Sequence, residues 1–407
     1  MIRSTVILYP IQQPGIQLEP VRINLKNGKK RNMVKIIKIG TAGLQLLYNG
    51  MKLLPTQKKI VMLSRQSNEP SDEFRMVEHE LLKQNKGVKV VLLCKTLDGG
   101  VDSSLVGKIR YGFHMLTQMY HLATAQVAVL DAYCIPVSLL KHKNSLTVIQ
   151  MWHSMGTMKK FGYTALDTAE GSRREIAEAM KMHQNYDYVF ASADAYKDHL
   201  AKGFRCEIEK IVTMPLPRLD LLNSRSYQEK TKEKIYAKYP KLKEKPVILY
   251  IPTFRKDETA FGPALEKLIH AVDTDRYNLV VKLHPLSKMK LQDETMSADG
   301  FSSFEMLSVA DYVVSDYSCI IYEAAVLGIP LYFYDFDMDF YKNDRGLAID
   351  YENELPGVIS EDAAEIVRAI EEDSYDKKAL KQFADRYVTP TEHATKDIAD
   401  FIFRFIK

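Results

Sequence analysis

The chain has few cysteines for its length and no spacing suited to zinc. Its 407 residues include 4 cysteines, and Cys94, Cys134, Cys206 and Cys319 stand far apart in the sequence. No Cys-x-x-Cys pair or Cys/His set with ligand spacing occurs, which argues against a zinc site. Scattered single thiols are typical of a protein from a reducing compartment, so we expect a cytoplasmic location.

Long hydrophobic runs and a strong excess of one charge are also lacking. No stretch approaches the roughly 18 apolar residues of a membrane-spanning helix, and the N-terminus lacks the apolar core and cleavage site of a signal peptide. The 56 Lys and Arg nearly balance the 52 Asp and Glu, which gives no argument for nucleic acid as a partner. We therefore expect a protein that is soluble or lies on a membrane surface.

The hydrophobic content of 46% over this length is sufficient for two domains of ordinary size. The pattern predicts a small β-rich appendage at 1–32 and a helix at 33–54. Two series of alternating strands and helices follow at 55–225 and 226–390, and the second opens with a charged helical segment. A terminal helix at 391–407 is expected to cross back to the first series.

The predicted helix at 33–54 carries apolar residues on one side and basic residues at its flank, and Lys29, Lys30 and Arg31 precede it. A basic amphipathic helix suits the surface of an anionic membrane. A helix packed on the first domain with a solvated basic face explains the same pattern. Three glycines within the segment weaken the helix prediction itself.

Short apolar runs predict the two sheets. Strands are predicted at 59–63, 88–93, 127–130, 146–150, 188–191 and 211–213 in the first series, and at 247–251, 279–282, 312–314, 331–333 and 346–349 in the second. Helices are predicted between them, among others at 72–83, 173–183, 263–272, 320–327 and 361–371. Apolar strands alternating with helices indicate parallel sheets covered on both faces. The predicted fold class is therefore α/β, with two Rossmann-like doubly wound domains facing each other across a cleft, where ligands bind at the carboxyl ends of strands.

The most informative segment is Ser-Asp-Tyr-Ser at 315–318, which separates a predicted strand from a predicted helix. The first N–H groups of a helix have no internal partner, and the helix dipole adds partial positive charge, so such a turn can bind an anion. The hydroxyls of Ser315 and Ser318 can add donors. The same residues also fit an ordinary N-cap.

Three further polar sets follow predicted strands. His153 comes soon after one strand, where a histidine can act as a base near neutral pH. Thr253 and Arg255 leave another strand, and a guanidinium can bond two phosphate oxygens at once. His284 follows a third, before a proline that ends the strand. Each set has an ordinary structural explanation, but their coincidence favours a phosphorylated ligand.

Taken in order, these segments resemble the motifs of the CDP-glycerol glycerophosphotransferase family, the teichoic-acid primases and polymerases. The resemblance covers about residues 58–400. The matching segments are Ser-Arg-Gln-Ser-Asn-Glu-Pro-Ser at 64–71, Trp-His to Lys-Lys-Phe-Gly at 152–162, Pro-Thr-Phe-Arg at 252–255, Lys-Leu-His-Pro at 282–285, Ser-Asp-Tyr-Ser at 315–318, Phe-Tyr-Asp at 333–335 and the run at 350–357. Each motif alone is weakly specific, whereas their common order is strongly so.

The resemblance implies a GT-B-like fold whose second domain holds most of the donor. It implies that a hydroxyl of a lipid-linked acceptor attacks the β-phosphorus of CDP-glycerol, that glycerol phosphate is transferred and that CMP leaves. His153 would be the general base, and His284 would bond the phosphate and stabilise charge on the leaving group. The residues assigned to the donor phosphates are Thr253, Arg255, Ser315, Asp316 and Ser318. The residues assigned to the acceptor side are Arg65, Gln66, Ser67 and Lys159.

The same resemblance implies the partners. The acceptor would be linked to undecaprenyl diphosphate, and the protein would lie peripherally on the anionic cytoplasmic face of the cell membrane. We expect no cofactor and no metal, because no Asp-rich motif is evident and cationic groups with N–H donors can neutralise the phosphates. The oligomeric state is left open.

Other interpretations stay open from the sequence. CDP-ribitol can replace CDP-glycerol as donor in the same chemistry, and a nucleotide-sugar glycosyltransferase can share the architecture, although the motifs at 282–285 and 315–318 favour a phosphotransferase. A non-enzymatic membrane-binding protein would leave both strand-end histidines unexplained. The histidine segment is longer than in some family members, so the choice between primase and polymerase is also open. Cys319 stands where a second serine is common, which removes one hydroxyl from the anion site.

Overall fold

The computed structural model describes residues 27–96, 105–168, 171–255, 257–344, 346–372 and 374–407. The β-rich appendage predicted at 1–32 lies outside the described residues as far as residue 26, and residues 27–32 form the start of a helix. The described chain divides into two compact units. The first comprises residues 27–155, 160–220 and Thr389–Lys407, and the second comprises Gly156–Lys159 and Leu221–Val388.

The strands of the first unit are β1 Lys59–Ser64, β2 Lys89–Cys94, β3 Val127–Leu130, β4 Thr147–Gln150, β5 Tyr188–Ala191 and β6 Ile211–Thr213. Those of the second unit are β7 Val247–Ile251, β8 Asn278–Val281, β9 Tyr312–Ser315, β10 Leu331–Tyr334 and β11 Ile359–Ser360.

The α-helices are α1 Asn27–Met51, α2 Asp72–Lys83, α3 Leu105–Thr124, α4 Ile135–Leu139, α5 Arg174–Ala179, α6 Lys197–Phe204, α7 Arg218–Asn223, α8 Arg225–Lys238, α9 Phe261–Ala271, α10 Glu294–Ser297, α11 Ser303–Met306, α12 Ile320–Val326, α13 Met338–Asp344, α14 Tyr351–Glu354, α15 Ala363–Glu371, α16 Lys377–Tyr387 and α17 Ala394–Phe403. Short 3₁₀ helices occur at Gly162–Ala165, Asp194–Tyr196, Ile208–Lys210, Pro240–Lys243 and Leu307–Val309.

In the first unit, all described strand pairs are parallel and the strand order is β2-β1-β3-β4-β5-β6. Strands β1, β3 and most of β4 and β5 are fully buried, as a sheet covered on both faces requires. Because β2 and β3 lie on opposite sides of β1, the order reverses between β1 and β3. That reversal is the place where open α/β sheets bind ligands, beyond the carboxyl ends of the strands.

The second unit also contains a parallel sheet, with the strand order β11-β10-β9-β7-β8. Its strand order reverses between β7 and β9. Helices α9 and α15 pack on this sheet through buried aliphatic residues such as Leu265, Leu268, Ile366 and Ile370. Each such side chain contributes about 1.5–3 kcal/mol when fully buried. The register sets Ile251 beside Ser315, so the turns after β7 and β9 begin next to each other.

The C-terminal helix α17 belongs to the first unit. Its Phe401 ring lies 5.2 Å from the Tyr188 ring and 5.4 Å from the Phe190 ring. The Asp220 carboxylate accepts hydrogen bonds from the backbone N–H groups of Ala394 and Thr395 at 2.7 and 2.9 Å. A carboxylate on the first N–H groups of a helix satisfies donors that have no intrahelical partner.

The predicted fold class is confirmed, since two parallel α/β sheets are present, and most predicted strands agree with observed ones to within a residue or two. The strand predicted at 346–349 is wrong. Leu347 there forms only an isolated antiparallel bridge with Lys159, next to Gly346, whose φ of 77° ends any extended run. The two-residue strand β11 was not predicted because so short a run has no periodicity.

Candidate active site

The first sheet carries polar side chains at the reversal between β1 and β3. Arg65 and Gln66 follow β1, and Asp131 follows β3. The Gln66 N–H donates to Ser64 Oγ at 3.1 Å, which forms a tight turn at the strand end. Arg65 lies between the rings of Tyr111 and Tyr133, 5.9 Å from each centroid, while Gln66 is exposed. The neighbouring Ser67 is exposed too, and its hydroxyl accepts from the Glu69 N–H at 3.0 Å.

His153 is held at the end of β4 by a strained turn. Trp152 has a φ of 67°, a conformation uncommon for a bulky residue. Its N–H donates to Gln150 Oε1 at 3.0 Å, and its indole packs 4.9 Å from the Phe161 ring. The turn directs His153 towards β3, where its Nδ1 lies 2.8 Å from the carbonyl oxygen of Asp131.

That contact fixes the protonation of the ring. A carbonyl oxygen can only accept, so Nδ1 of His153 carries the proton and Nε2 of the neutral ring keeps its lone pair. His153 is exposed, although protein atoms crowd the ring and lower its pKa by desolvation; Arg218 lowers the pKa further, whereas the bond to Asp131 and the charge of Glu73 oppose this. A neutral imidazole with an available Nε2 is the form that a general base needs.

Two charged residues support the same corner. Arg218 pairs with Glu73 of α2 and donates from Nη2 to the carbonyl oxygen of His153 at 3.2 Å. The guanidinium therefore fixes the backbone of His153 as well as contributing charge beside it. Sequence reasoning did not select Arg218 or Glu73, because they are 145 residues apart and neither belongs to a strand-end motif.

Asp131 is a further residue that sequence reasoning missed. It is 3% exposed, and burial raises its pKa to about 7 against a partly compensating hydrogen bond with Ser64. Its Oδ1 has no hydrogen-bond partner among the described residues. Its position directly after β3, at the reversal of the sheet, was the available signal.

In the second sheet, the turns after β7 and β9 are joined by one buried carboxylate. Asp316 accepts from the Thr253 N–H at 2.9 Å and from the Tyr317 N–H at 2.6 Å, and it is wholly inaccessible to solvent. The hydroxyl of Ser315 donates to the carbonyl oxygen of Ile251 at 2.8 Å and is equally enclosed. Both side chains therefore hold the β7 and β9 turns together.

Arg255 completes this buried network. Its Nε and Nη2 donate to Asp337 at 2.6 and 2.8 Å, and its Nη1 donates to the carbonyl oxygen of Thr253 at 2.8 Å. Nη2 also lies 2.9 Å from Asp316. Desolvation alone would lower the pKa of Arg255, but the two carboxylates raise it above its usual range. Asp337 follows β10 and was not predicted, because its motif neighbours end at Asp335.

His284 is exposed at the end of β8 and has the opposite hydrogen bonding to His153. The Leu286 N–H donates to Nδ1 of His284 at 3.1 Å, so the proton of the neutral ring sits on Nε2, which can donate. Partial desolvation and the nearby Lys159 lower the pKa of His284. The ring also lies 5.0 Å from the Phe254 ring, beside Thr253.

Lys159, assigned to the acceptor side from sequence, is placed in the second unit. Its Nζ donates to Thr253 Oγ1 at 3.2 Å and lies 5.3 Å above the Tyr341 ring. Ser318, in the turn before α12, is half-buried, and its Oγ lies 3.5 Å from the Ile320 N–H. The predicted site residues are therefore divided between the two units. The second unit contains Thr253, Lys159, His284 and Ser318, and the first contains Arg65, Gln66, Ser67 and His153.

No group of three or more His, Cys, Asp or Glu suited to a metal ion occurs in the described parts of the chain. Among the same residues, no helix combines the length and the apolar character that crossing a bilayer requires.

Two parallel sheets with polar side chains at the reversals of strand order define a doubly wound α/β protein. A family model described as CDP-Glycerol:Poly(glycerophosphate) glycerophosphotransferase matches residues 47–404. The chain belongs to this family, which confirms the resemblance found in its motifs.

Curated relatives include enzymes for both polyols. The chain is 32% identical over 367 residues to the teichoic acid ribitol-phosphate primase of Bacillus spizizenii, covering 87% of this chain and 93% of that protein. It is 28% identical to the teichoic acid poly(ribitol-phosphate) polymerase of the same species, covering 94% of this chain and 64% of the polymerase. It is 26% identical to the teichoic acid glycerol-phosphate primase of Bacillus subtilis, covering 71% and 76%.

Solved structures share the fold. The wall teichoic acid polymerase TagF superposes with a TM-score of 0.67 at 20% identity, covering 94% of this chain and 98% of that chain. A form of TagF soaked with CDPG gives a TM-score of 0.70, also at 20% identity, with coverages of 93% and 98%. The UDP-GlcNAc 2-epimerase of Neisseria meningitidis gives 0.55 at 14% identity, covering 85% and 100%. At these identities the likeness shows the architecture alone.

Proposed function

We propose that this protein transfers a polyol phosphate from a CDP-linked polyol to a hydroxyl group of a lipid-linked acceptor and releases CMP. Membership of the family supports the reaction class. The observation that carries the assignment of roles is the opposite hydrogen bonding of the two strand-end histidines, one with an available Nε2 lone pair and the other with an Nε2–H donor.

In the proposed reaction, His153 Nε2 accepts the proton of the acceptor hydroxyl as its oxygen attacks the β-phosphorus. The new P–O bond forms, the bond between the β-phosphorus and the bridging oxygen breaks, and CMP leaves with the electron pair. The depressed pKa of His153 keeps the ring neutral at pH 7, which is the state that accepts a proton. Arg65, Gln66 and Ser67 are proposed to bind the acceptor on the same unit.

For the CDP-polyol, we propose that hydrogen-bond donors of the second unit contact the phosphate oxygens. His284 Nε2–H, the Thr253 hydroxyl and the Ser318 hydroxyl are candidates, since each is at least partly accessible. Phosphoryl transfer depends mainly on positioning and on neutralising charge on the phosphates. Asp316 would act by fixing the Thr253 backbone through its 2.9 Å contact, and Ser315 by tying β9 to β7.

Two polyols compete as donor. The family description and the glycerol-phosphate primase support CDP-glycerol, the donor expected from the motifs. The higher identity to a ribitol-phosphate primase, over 93% of that enzyme, favours CDP-ribitol as a second candidate. The TagF structure soaked with CDPG supports binding of a CDP-linked polyol by this fold.

The test is a donor panel with the purified protein and a lipid-diphosphate disaccharide acceptor, with and without its terminal polyol phosphate. We expect CMP release from CDP-glycerol or CDP-ribitol and none from UDP-sugars. Turnover of a UDP-sugar without CMP release would show a glycosyltransferase. Binding calorimetry with both CDP-polyols is the independent measurement, and no heat with either from native protein would overturn the proposal.

A membrane-facing surface is the second part of the proposal. Helices α1 and α3 contact each other, and Tyr48 anchors α1 by its hydroxyl, 2.8 Å from His142 Nδ1. Large apolar side chains of both helices nevertheless face solvent. They are Ile36, Ile39, Leu46 and Leu47 of α1 and Leu105, Val106, Ile109 and Phe113 of α3.

Basic residues occur on the same two helices. Lys35, Lys38, Lys108 and Arg110 are all exposed on the same two helices. Apolar side chains that enter the lipid interface, flanked by cations that meet anionic headgroups, are typical of peripheral membrane attachment. We propose that α1 and α3 together place the protein on an anionic membrane surface, where a lipid-linked acceptor resides.

Vesicle sedimentation tests the membrane surface. The double variant Ile109→Ser with Phe113→Ser should reduce binding to vesicles containing phosphatidylglycerol by about thirtyfold or more, because each change removes roughly 1–2 kcal/mol of apolar burial. Ile208→Ser, which alters an exposed apolar residue outside these helices, is the matched control. Equal binding of both variants would assign the two helices to another role.

A further inference from the structure

Arg65, directly after β1, is a half-buried cation that forms no ion pair with any described residue. Other arginines of the chain do pair with carboxylates: Arg255 lies 2.6 Å from Asp337, and Arg276 lies 2.7 Å from Glu371. Taking a charge partly out of water is costly unless an opposite charge or hydrogen bonds compensate it. The environment of Arg65 is therefore the place to look for a ligand.

The guanidinium of Arg65 keeps donors that the described chain does not use. Its Nη1 lies 3.4 Å from the carbonyl oxygen of Tyr133, and its enclosed Nε has no acceptor among the described residues. The hydroxyl of Tyr111, whose ring faces the guanidinium, is a second enclosed group without a described partner. Buried polar groups are nearly always paired in native proteins, so two of them beside one cation indicate a place where an anion binds.

The guanidinium is also held in position. Its central carbon lies 5.9 Å from the ring centroids of both Tyr111 and Tyr133. Tyr111 is buried in α3, and the Tyr133 hydroxyl donates to the carbonyl oxygen of Met180 at 3.0 Å. A planar cation confined by two fixed aromatic rings loses little conformational freedom when it binds a ligand.

Arg65 contacts the same short segment as the proposed base. Its Nη1 contacts the carbonyl oxygen of Tyr133, and Nδ1 of His153 contacts that of Asp131. Two residues of chain span at most about 7 Å. The buried carboxyl group of Asp131 bonds with Ser64 instead of Arg65. One polyol phosphate can therefore place its phosphate at Arg65 while it presents a hydroxyl to His153.

Helix α3 joins this corner to the surface proposed to meet the membrane. Tyr111 is 6% exposed, whereas Ile109 and Phe113 are 53% and 67% exposed. Residues four apart share a face of a helix, and the residue midway between them lies on the opposite side. A lipid-linked anion is therefore the kind of ligand that fits this position.

We propose that Arg65 binds a phosphate group of the lipid-linked acceptor. The inference rests on the proposed function, and it names the chemical group that a residue of the acceptor side recognises. Two phosphates of an acceptor share this chemistry, namely the phosphodiester of a terminal polyol phosphate and the diphosphate that carries the lipid. The short segment between the contacts of Arg65 and His153 favours the terminal polyol phosphate, which lies closest to the reacting hydroxyl.

The experiment measures the kinetics of Arg65→Gln with lipid-diphosphate disaccharides that have or lack a terminal polyol phosphate. We expect the acceptor KM to rise by about tenfold to a hundredfold, as loss of a charge-assisted hydrogen bond does, while the Kd for the CDP-polyol stays within about twofold. Arg65→Lys, which keeps the charge without the planar fork, should recover part of the acceptor affinity. Arg174→Gln, which removes an exposed pairing with Asp167 in the same unit, is the matched control and should match the wild type.

The two acceptors identify the phosphate. A rise in KM confined to the acceptor with a terminal polyol phosphate assigns Arg65 to that group, and an equal rise for both acceptors assigns it to the diphosphate. The wild-type acceptor KM should also increase with salt more steeply than that of Arg65→Gln, because salt screens the attraction between the cation and the phosphate. An unchanged acceptor KM, a loss confined to kcat or a raised donor Kd would overturn the inference.

Failure of this inference can be told from failure of the proposed function. If the wild type binds a CDP-polyol and releases CMP while Arg65→Gln keeps the wild-type acceptor KM, the inference is overturned and the proposed function stands. If the wild type binds no CDP-polyol, both fall together. Circular dichroism melts show whether the variants are folded, and Arg65→Lys, the smaller change, provides the comparison of acceptor KM values if Arg65→Gln is not.

Discussion

His153 and His284 each follow a strand of a parallel sheet, yet their Nδ1 atoms have opposite partners. Nδ1 of His153 faces a carbonyl oxygen at 2.8 Å and must donate, whereas Nδ1 of His284 faces a backbone N–H at 3.1 Å and must accept. The backbone thereby leaves Nε2 as an acceptor in the first unit and as a donor in the second. The two histidines therefore differ in which ring nitrogen carries the proton. For His153 this is set by a carbonyl group distant in sequence, and for His284 by an N–H group of the following turn.

The charged residues around the two histidines differ as well. Beside His153, Arg218 and Glu73 form a partly accessible pair, and the Asp131 carboxyl is buried. Near His284, the carboxylates bind Arg255 deep inside the turns, and Lys159 remains beside Thr253. The first arrangement leaves a cation–carboxylate pair partly accessible, and the second encloses one cation between two carboxylates.

The largest expected effect is on proton transfer. His153→Ala should reduce turnover by about a hundredfold or more, because general-base catalysis contributes 10²–10⁴-fold, while the Kd for the CDP-polyol stays within about twofold. Single-turnover kinetics with calorimetry of the donor makes the measurement. Normal turnover in a folded His153→Ala protein would remove the proposed base.

The next effect is on stability at the donor side. Arg255→Met leaves the Asp316 and Asp337 carboxylates buried without their cation, which costs about 3–5 kcal/mol when a buried pair is broken. Denaturant unfolding at pH 7 measures the loss. Arg276→Met, which removes a surface pairing with Glu371, is the control and should cost less than about 1 kcal/mol.

Two replacements of His284 test whether the donor KM depends on its hydrogen bond or on its ring. His284→Ala should raise the donor KM by about tenfold through loss of one hydrogen bond to a charged group. His284→Gln, whose amide retains an N–H donor, should recover part of that loss. Equal defects in both variants would show that the ring matters for another reason.

A smaller effect concerns pH. The pKa of His153 lies below its usual value of 6.5, so activity should persist as pH falls to 6.5 and be lost only at lower pH, when Nε2 becomes protonated. Arg218→Gln removes a charge that lowers this pKa and leaves Glu73, which raises it. The acid limb of kcat/KM should therefore move to higher pH, and an unmoved limb would contradict Arg218 as a tuning residue.

The last effect concerns how the buried Asp131 makes the stability of the protein depend on pH. Its folded pKa of about 7 lies above the ordinary value of 3.8, so the folded state binds the proton more tightly. Stability is favoured below pH 4 and falls by up to about 1.4 kcal/mol per pH unit as pH rises towards 7. Asp131→Asn should flatten this decline between pH 4 and 7 in denaturant unfolding, and its backbone contact with His153 remains.

Much of the fold was predictable because buried parallel strands leave a plain signal. Runs such as Val127–Leu130 and Val247–Ile251 are continuously apolar, since both faces of the sheet are covered. The strand-end sites were predictable for a related reason, because parallel strands collect their carboxyl ends at one edge. The strand β11 and the bridge at Leu347 were not predictable. They contain two residues and one residue, and runs so short have no periodicity.

The roles of individual residues were harder to predict from the sequence. Asp337, Arg218 and Glu73 lie outside the motifs, and their importance comes from partners 65 to 145 residues away. Ser315 and Arg255 were assigned to phosphate because their side chains can bind it. The structure gives both of them protein partners, which their residue types could not reveal.

The sequence by itself determined the class of fold, the family and the strand ends at which chemistry is expected, because periodicity, apolar content and motif order are local properties of the chain. Only the tertiary structure decided which nitrogen of each histidine carries the proton, which cation lies beside Thr253 and which carboxylates are buried. These depend on backbone and side-chain groups brought together across long sequence separations, where burial and hydrogen-bond direction set charge and protonation.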